Sequence, residues 1–149
     1  MKYLPNHKKI MLIVTENCNL RCIYCYEKNK NGKSMTFETA KEILDRAYAD
    51  MDGYESMVIE LHGGEPFLNF PLIEKIDDYV MENYRNIPVL FRMITNGTLV
   101  HGKVQEWLRS RSERYELMLS IDGKQEQHDQ NRKQTGGRGS FEQIDLDFF

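Results

Sequence analysis

Short apolar runs that alternate with segments of helical periodicity constrain the fold of this chain most strongly. The runs cover residues 10–14, 57–61, 89–94 and 116–121. The first is continuously apolar, which predicts a strand buried on both faces. Strands separated by helices imply a parallel sheet with right-handed crossovers. The sequence therefore predicts an α/β fold.

The segments between the runs predict the helices. Apolar residues recur at helical spacing over 35–51, and either Ser34 or Thr36 can cap this first helix. Asn69 can cap a second helix, and a third is predicted over about residues 101–110. Each helix follows one of the apolar runs, as expected when strands and helices alternate in a parallel sheet.

Polar or glycine-rich residues follow each apolar run directly. After the fourth run a polar stretch predicts a loop that continues to Gly139, and Ser140 has the character of a cap for another helix. In parallel sheets the loops at the carboxyl ends of the strands share one edge, and ligands bind there. The motifs that follow the strands are therefore expected to converge on one site.

All three cysteines lie after the first run, as Cys18, Cys22 and Cys25 in a C-x3-C-x2-C pattern. Three thiolates can hold a [4Fe–4S] cluster and leave one iron open for chemistry. Two alternatives are a zinc site completed by His7 or His62, and a disulfide with one spare thiol. Grouped thiols without a secretion signal predict a reducing, cytoplasmic location.

The cysteine loop, with Tyr24 before its last cysteine, resembles the signature of the radical S-adenosylmethionine (radical SAM) enzymes. The resemblance implies that Cys18, Cys22 and Cys25 ligate a [4Fe–4S] cluster. It also implies that SAM chelates the open iron and that an electron donor reduces the cluster. Cleavage of SAM would then give a 5′-deoxyadenosyl radical that abstracts hydrogen from a substrate.

Four further segments resemble family motifs: Gly63–Pro66 (GGEP), Thr95–Thr98 (TNGT), Ser120–Gly123 (SxDG) and the HDxxR element that ends at Arg132. The cofactor-binding residues that the resemblance implies are Tyr24, His62, Gly63, Gly64, Glu65, Pro66, Thr95, Asn96, Ser120, Asp122 and Arg132.

The resemblance assigns particular contacts to three of these residues. Glu65 would accept hydrogen bonds from the ammonium group of SAM, Ser120 would contact the ribose, and Arg132 would pair with the carboxylate. The alternatives are structural: a surface glutamate in a glycine turn, a tight turn for TNGT, a turn role for Asp122, and a solvated surface arginine. His128 and Asp129 are expected to shape the loop or to face the substrate.

The matched segments are most similar to anaerobic sulfatase-maturating enzymes and peptide maturases, which act on Cys or Ser side chains of a partner peptide. The family core is a partial TIM-type (β/α) barrel of about six units, and this sequence predicts about four. Residues 1–149 are therefore expected to be the N-terminal part of a radical SAM core domain. The C-terminal barrel half is expected to be absent, as is any auxiliary-cluster domain, because no cysteine follows Cys25.

Composition narrows the functional classes. The net charge of −3 and the 40% hydrophobic content predict a globular protein without a nucleic-acid or membrane surface. An apolar fourth strand at the sheet edge predicts self-association. Two functions stay open: a radical SAM enzyme that acts on a peptide or protein, and a non-catalytic remnant that binds a cluster or a partner chain. Production of 5′-deoxyadenosine separates them.

Overall fold

A computed structural model describes residues 6–27 and 32–149. Four strands form a parallel sheet in the order β1-β3-β4-β5, and two short strands form a separate antiparallel pair, β2-β6. The strands are β1 His7–Thr15, β2 Leu20–Cys22, β3 Ser56–Gly63, β4 Val89–Thr95, β5 Tyr115–Leu119 and β6 Arg132–Gln134. The predicted parallel α/β fold is confirmed.

Helices connect the parallel strands as predicted. They are α1 Phe37–Ala49, α2 Phe70–Asn83, α3 Lys103–Arg109 and α4 Gln125–Asn131, with 3₁₀ turns at Pro66–Asn69 and Phe141–Gln143. One hydrophobic core joins the first three helices to one face of the sheet, and Leu44, Ile73 and Phe91 lie at its centre with no exposure. No helix among the described residues is long and apolar enough to span a membrane. The cytoplasmic location stays a prediction.

The prediction that β1 is buried on both faces is wrong. Leu12 and Val14 are fully buried, whereas Met11 and Ile13 are 52% and 54% exposed. Side chains alternate along a strand, and the helices cover only the face that carries Leu12 and Val14. On the opposite face the side chains nearer the carboxyl ends of the strands are at least 40% exposed, namely Met11, Ile13, Ile94 and Met118, whereas Val58 and Leu90 on the same face are buried.

Of the predicted helix caps, Thr36 is confirmed and Asn69 is wrong. Thr36 caps α1, and its side chain accepts a hydrogen bond from the Thr39 amide at 3.2 Å. Asn69 does not cap α2 through its side chain. Its Nδ2 instead donates to the carbonyl of Val14 at 2.9 Å. This contact joins the end of β1 to the start of α2. The Asn69 side chain is therefore used to hold β1 and does not cap the helix.

The predicted loop up to Gly139 is wrong, because this stretch contains α4 and β6. β6 pairs antiparallel with β2, so that Cys22 lies opposite Arg132. The helix predicted after Ser140 is also wrong: only a 3₁₀ turn follows. The Ser140 hydroxyl donates to the Arg132 carbonyl at 2.5 Å instead of capping. The polar stretch thus closes over the cysteine loop.

Candidate functional site

A cavity of about 330 Å³ opens at the edge of the sheet where the parallel strands end. It brings together eleven of the predicted site residues: Cys18, Cys22, Tyr24, Cys25, His62, Gly63, Gly64, Thr95, Asn96, Ser120 and Arg132. Leu20, Tyr26 and Ile94 also line it and were not predicted. Glu65, Pro66 and Asp122 do not line the cavity, although the sequence analysis placed them in the site.

The three cysteines are not in a disulfide, and all three line this one cavity. The backbone amide of Leu20 lies 3.4 Å from the Cys18 sulfur, and the Cys25 thiol donates to the carbonyl of Glu27. No ready-made group of three or more metal-binding side chains is present in residues 6–27 and 32–149. Three thiols that line one cavity are nevertheless the donor set that an iron–sulfur cluster takes.

Of the two histidines considered as a fourth zinc ligand, His62 lines the cavity and His7 does not. His7 begins β1, at the sheet edge opposite the cavity, so it cannot complete a site with the cysteines. His62 lines the cavity, and its Nε2 lies 3.9 Å from the Glu60 carboxylate. A disulfide is not formed among the three cysteines.

Gly63 and Gly64 must be glycine because the backbone at Thr15 and Asn17 lies too close to them for a side chain. A Cβ atom on Gly63 would lie 2.1 Å from the Thr15 carbonyl oxygen, and one on Gly64 would lie 2.3 Å from that of Asn17. The Gly64 amide donates to the Thr15 carbonyl at 2.9 Å. We expected these glycines to let the backbone approach a ligand. They line the cavity, but the close approach is between the end of β3 and the start of the cysteine loop.

Glu65 links two of the predicted motifs. It is 1% exposed, and its carboxylate accepts hydrogen bonds from the Thr95 hydroxyl at 2.8 Å and the Asn96 amide at 2.8 Å. Burial raises its pKa, against the opposing effect of hydrogen bonds from Asn96, Thr95 and Phe67. Glu65 is therefore not a surface residue, and it holds the TNGT turn. Its predicted contact with an ammonium group stays a prediction.

The TNGT segment is a tight turn that also lines the cavity. The Thr95 hydroxyl accepts a hydrogen bond from the Gly97 amide at 3.0 Å, and the Asn96 side-chain carbonyl accepts one from the Thr98 amide at 3.0 Å. Gly97 has a φ of 78°, a conformation that favours glycine. Next to this turn, the Ser120 amide donates to the Thr95 carbonyl, which places Ser120 at the cavity wall.

Asp122 connects the cysteine loop to the HDxxR element. It accepts hydrogen bonds from the Tyr24 hydroxyl at 2.6 Å, from Arg132 Nε at 2.8 Å and from Asn131 Nδ2 at 3.1 Å. Burial acts to raise its pKa, but the three hydrogen bonds together lower it. Burial and the hydrogen bond to Asp122 raise the pKa of Tyr24 to about 12. Arg132 is therefore not a solvated surface arginine, and Asp122 is more than a turn residue.

His128 and Asp129 shape the loop, as one of the two predicted roles stated. His128 is fully buried, and its Nδ1 accepts from the Asp122 amide at 3.4 Å. Its Nε2 lies 3.0 Å from the Ser140 hydroxyl. Burial, followed by the positive charge of Arg132, lowers the pKa of His128, which favours the neutral ring. Asp129 accepts hydrogen bonds from the Ser140 and Phe141 amides.

Comparison with known proteins assigns the family. The model described as the radical SAM superfamily matches residues 12–145. The chain belongs to the radical SAM superfamily. It is 44% identical over 116 residues to an uncharacterized protein of Methanocaldococcus jannaschii, covering 78% of this chain and 39% of that protein. It is 32% identical to the cysteine-type anaerobic sulfatase-maturating enzyme of Clostridium perfringens, covering 95% of this chain and 40% of the enzyme.

Solved structures agree with this radical SAM assignment. The structure of native anSMEcpe with bound AdoMet and Cp18Cys peptide matches with a TM-score of 0.80 and 26% identity, over 93% of this chain and 38% of that one. The predicted resemblance and partial-barrel fold are confirmed, and the predicted cofactors are those of the superfamily. The chain spans about 40% of the length of the two curated relatives named above.

Proposed function

We propose that residues 1–149 form part of a radical SAM core that binds a [4Fe–4S] cluster through Cys18, Cys22 and Cys25 and binds SAM beside it. The observation that carries this proposal is that three cysteines without a disulfide line one cavity at the ends of the parallel strands. When bound, the cluster and SAM together supply reductive cleavage of SAM to a 5′-deoxyadenosyl radical, which abstracts hydrogen.

In this proposal, different residues around the cavity bind different groups of SAM. Arg132 donates to Asp122 through Nε, which leaves the Nη groups of the same planar guanidinium for the carboxylate of SAM. Ser120 offers a hydroxyl for the ribose, and His62 offers a ring nitrogen. The apolar side chains of Leu20 and Ile94 line the same cavity and would exclude water from the reacting atoms.

The proposed substrate is a peptide or protein. The support is the likeness to a sulfatase-maturating enzyme and to a structure solved with a bound peptide. A further relative is the subtilosin biosynthesis protein AlbA of Bacillus subtilis, 30% identical over 94% of this chain. A reduced electron-donor protein completes the proposed reaction, because cleavage of SAM consumes one electron.

The test is anaerobic reconstitution with iron and sulfide, followed by reduction in the presence of SAM and quantification of 5′-deoxyadenosine. We expect about four irons per chain and deoxyadenosine formation, both lost in Cys22→Ala. Cys22→Ala removes one proposed ligand, so retention of the cluster in this variant would overturn the ligand assignment. Zinc found in place of iron in the purified protein would favour the zinc site.

A second candidate is a cluster-binding chain without turnover. A reconstituted cluster with normal iron content but no deoxyadenosine, with and without an added peptide, would support it. The same experiment thus decides between the two functions.

A further inference from the structure

Asn96 stands out among the cavity residues because its amide contacts the first cysteine. Asn96 Nδ2 lies 3.9 Å from the Cys18 sulfur, within hydrogen-bonding reach of sulfur, and 2.9 Å from Asn19 Oδ1. Asn96 is 7% exposed and lines the cavity with Cys18. The amide therefore joins the end of β4 to the cysteine loop.

The orientation of this amide is fixed by chemistry. The Thr98 backbone amide can only donate, so the Asn96 atom that lies 3.0 Å from it must be the carbonyl oxygen. The Thr98 hydroxyl reaches the same oxygen at 2.7 Å. The NH₂ group must then point towards Cys18. An amide flip, the usual ambiguity for asparagine, would bring the NH₂ group against the Thr98 amide.

The anchoring of Asn96 is also independent of its side chain. Its backbone amide donates to the buried carboxylate of Glu65 at 2.8 Å. The partner Asn19 is held in turn, since its Nδ2 donates to the Thr98 hydroxyl at 2.7 Å. The donor that faces Cys18 is therefore preorganised and would cost little to align.

The environments of the cysteine sulfurs differ. The Cys18 sulfur has two N–H groups directed at it, from the Leu20 backbone at 3.4 Å and from Asn96. The Cys25 sulfur lies instead 3.6 Å from a carbonyl oxygen, that of Glu27, which cannot donate. Hydrogen bonds to ligating sulfurs stabilise the reduced, more negative form of an iron–sulfur cluster and raise its reduction potential.

We propose that Asn96 is a positioning residue that raises the reduction potential of the cluster through its N–H group directed at the Cys18 sulfur. This inference rests on the proposed function, because it requires the cluster to be held by Cys18. It assigns to the TNGT turn a role towards the cluster in addition to its predicted role towards SAM.

The test is an anaerobic redox titration of the reconstituted protein, monitored by electron paramagnetic resonance, together with resonance Raman spectra of the iron–cysteine stretches. Asn96→Ser keeps an oxygen that can accept from the Thr98 amide but is too short to reach Cys18. Asn96→Asp keeps the shape and replaces the donor with an acceptor. We expect a more negative midpoint potential and shifted iron–sulfur stretches in both variants.

The matched control is Thr98→Val, which removes the hydroxyl contacts with Asn19 and Asn96 while leaving the Asn96 donor in place. We expect its midpoint potential to stay near that of the wild type. An unchanged potential in Asn96→Ser would overturn the inference, as would an equal shift in Thr98→Val. A shift in Asn96→Asp alone would be an effect of added charge and would also overturn it.

The two proposals fail in distinguishable ways. If the wild-type protein takes up no [4Fe–4S] cluster, the proposed function fails before any variant is compared. If the wild type is loaded and the Asn96 variants titrate like it, only the role of Asn96 fails. If Asn96→Ser cannot be loaded, the resonance Raman and redox measurements on Asn96→Ala decide, because this variant removes the donor without adding a charge, with Thr98→Val as reference.

Discussion

Replacement of Asp122 by asparagine tests how the cysteine loop is held. The carboxylate accepts three hydrogen bonds, including those from the Tyr24 hydroxyl at 2.6 Å and from Arg132 Nε at 2.8 Å. The Asp122 and Arg132 side chains are 19% and 16% exposed, so solvent screens the pair only in part. Asparagine retains one acceptor oxygen. We therefore expect a loss of about 2 kcal/mol of unfolding free energy, less than for a fully buried pair.

The assay is urea denaturation followed by circular dichroism, with thermal unfolding in parallel. A loss of about 2 kcal/mol corresponds to a fall in Tm of roughly 4–8 °C for a domain of this size. Tyr24→Phe is the matched control: it removes one hydrogen bond but keeps the ring that lies 5.4 Å from the Arg132 guanidinium. It should lose about 1 kcal/mol.

The pH dependence of the unfolding free energy can refute this role of Asp122. The pKa of Asp122 is lowered in the folded state, so its stabilising effect is complete above the ordinary value of 3.8 and is lost as the pH falls through the lowered value. The difference in stability between wild type and Asp122→Asn should hold from neutral pH down to that range and then shrink. Equal stability of the two proteins at pH 7, or a difference that disappears well above 3.8, would show that this carboxylate does not hold the loop.

Three further substitutions test other parts of the fold. Gly63→Ala should abolish folding or cost several kcal/mol in urea denaturation, because its Cβ would lie 2.1 Å from a backbone oxygen, whereas Gly53→Ala, with open space around it, should lose only about 1 kcal/mol. Asp77→Asn should cost about 3 kcal/mol in the same assay, because Asp77 is 1% exposed between two arginines that would lose their partner. Glu65→Gln should flatten the pH dependence of stability. The raised pKa of Glu65 gives a contribution that is present at low pH and lost as the pH rises through the raised value, and comparable slopes in both proteins would contradict this.

Local sequence signals located the parallel sheet and most of the cavity. An apolar run marks each of the four parallel strands, and a motif follows each of them. The parallel topology therefore brings Cys18, Gly63, Asn96 and Ser120 together. The apolar run alone does not show which face of β1 is buried. Met11 and Ile13 are as apolar as Leu12, and only the position of the helices shows which face is covered.

The elements after β5 escaped prediction because long-range contacts stabilise them. Residues 125–134 have little apolar periodicity, and β6 exists through pairing with β2. The sequence analysis expected His128 to shape the loop or to face the substrate, but only the structure shows that it is fully buried and has hydrogen-bond partners. Likewise, the GGEP motif gave no indication that the Glu65 carboxylate would contact the TNGT turn. That contact depends on the spacing between two neighbouring strands.

The distance along the chain between the cysteine loop and the strand that covers it has a consequence for protein synthesis. Tyr24 and Asp122 are 98 positions apart, and Cys22 pairs with Arg132. At about 5–20 residues per second, a ribosome needs roughly 5–20 s to make the intervening chain. During that time the three thiols emerge without the segment that closes over them. The metal centre proposed for this site would therefore lack its covering segment until the chain has been synthesised as far as Arg132.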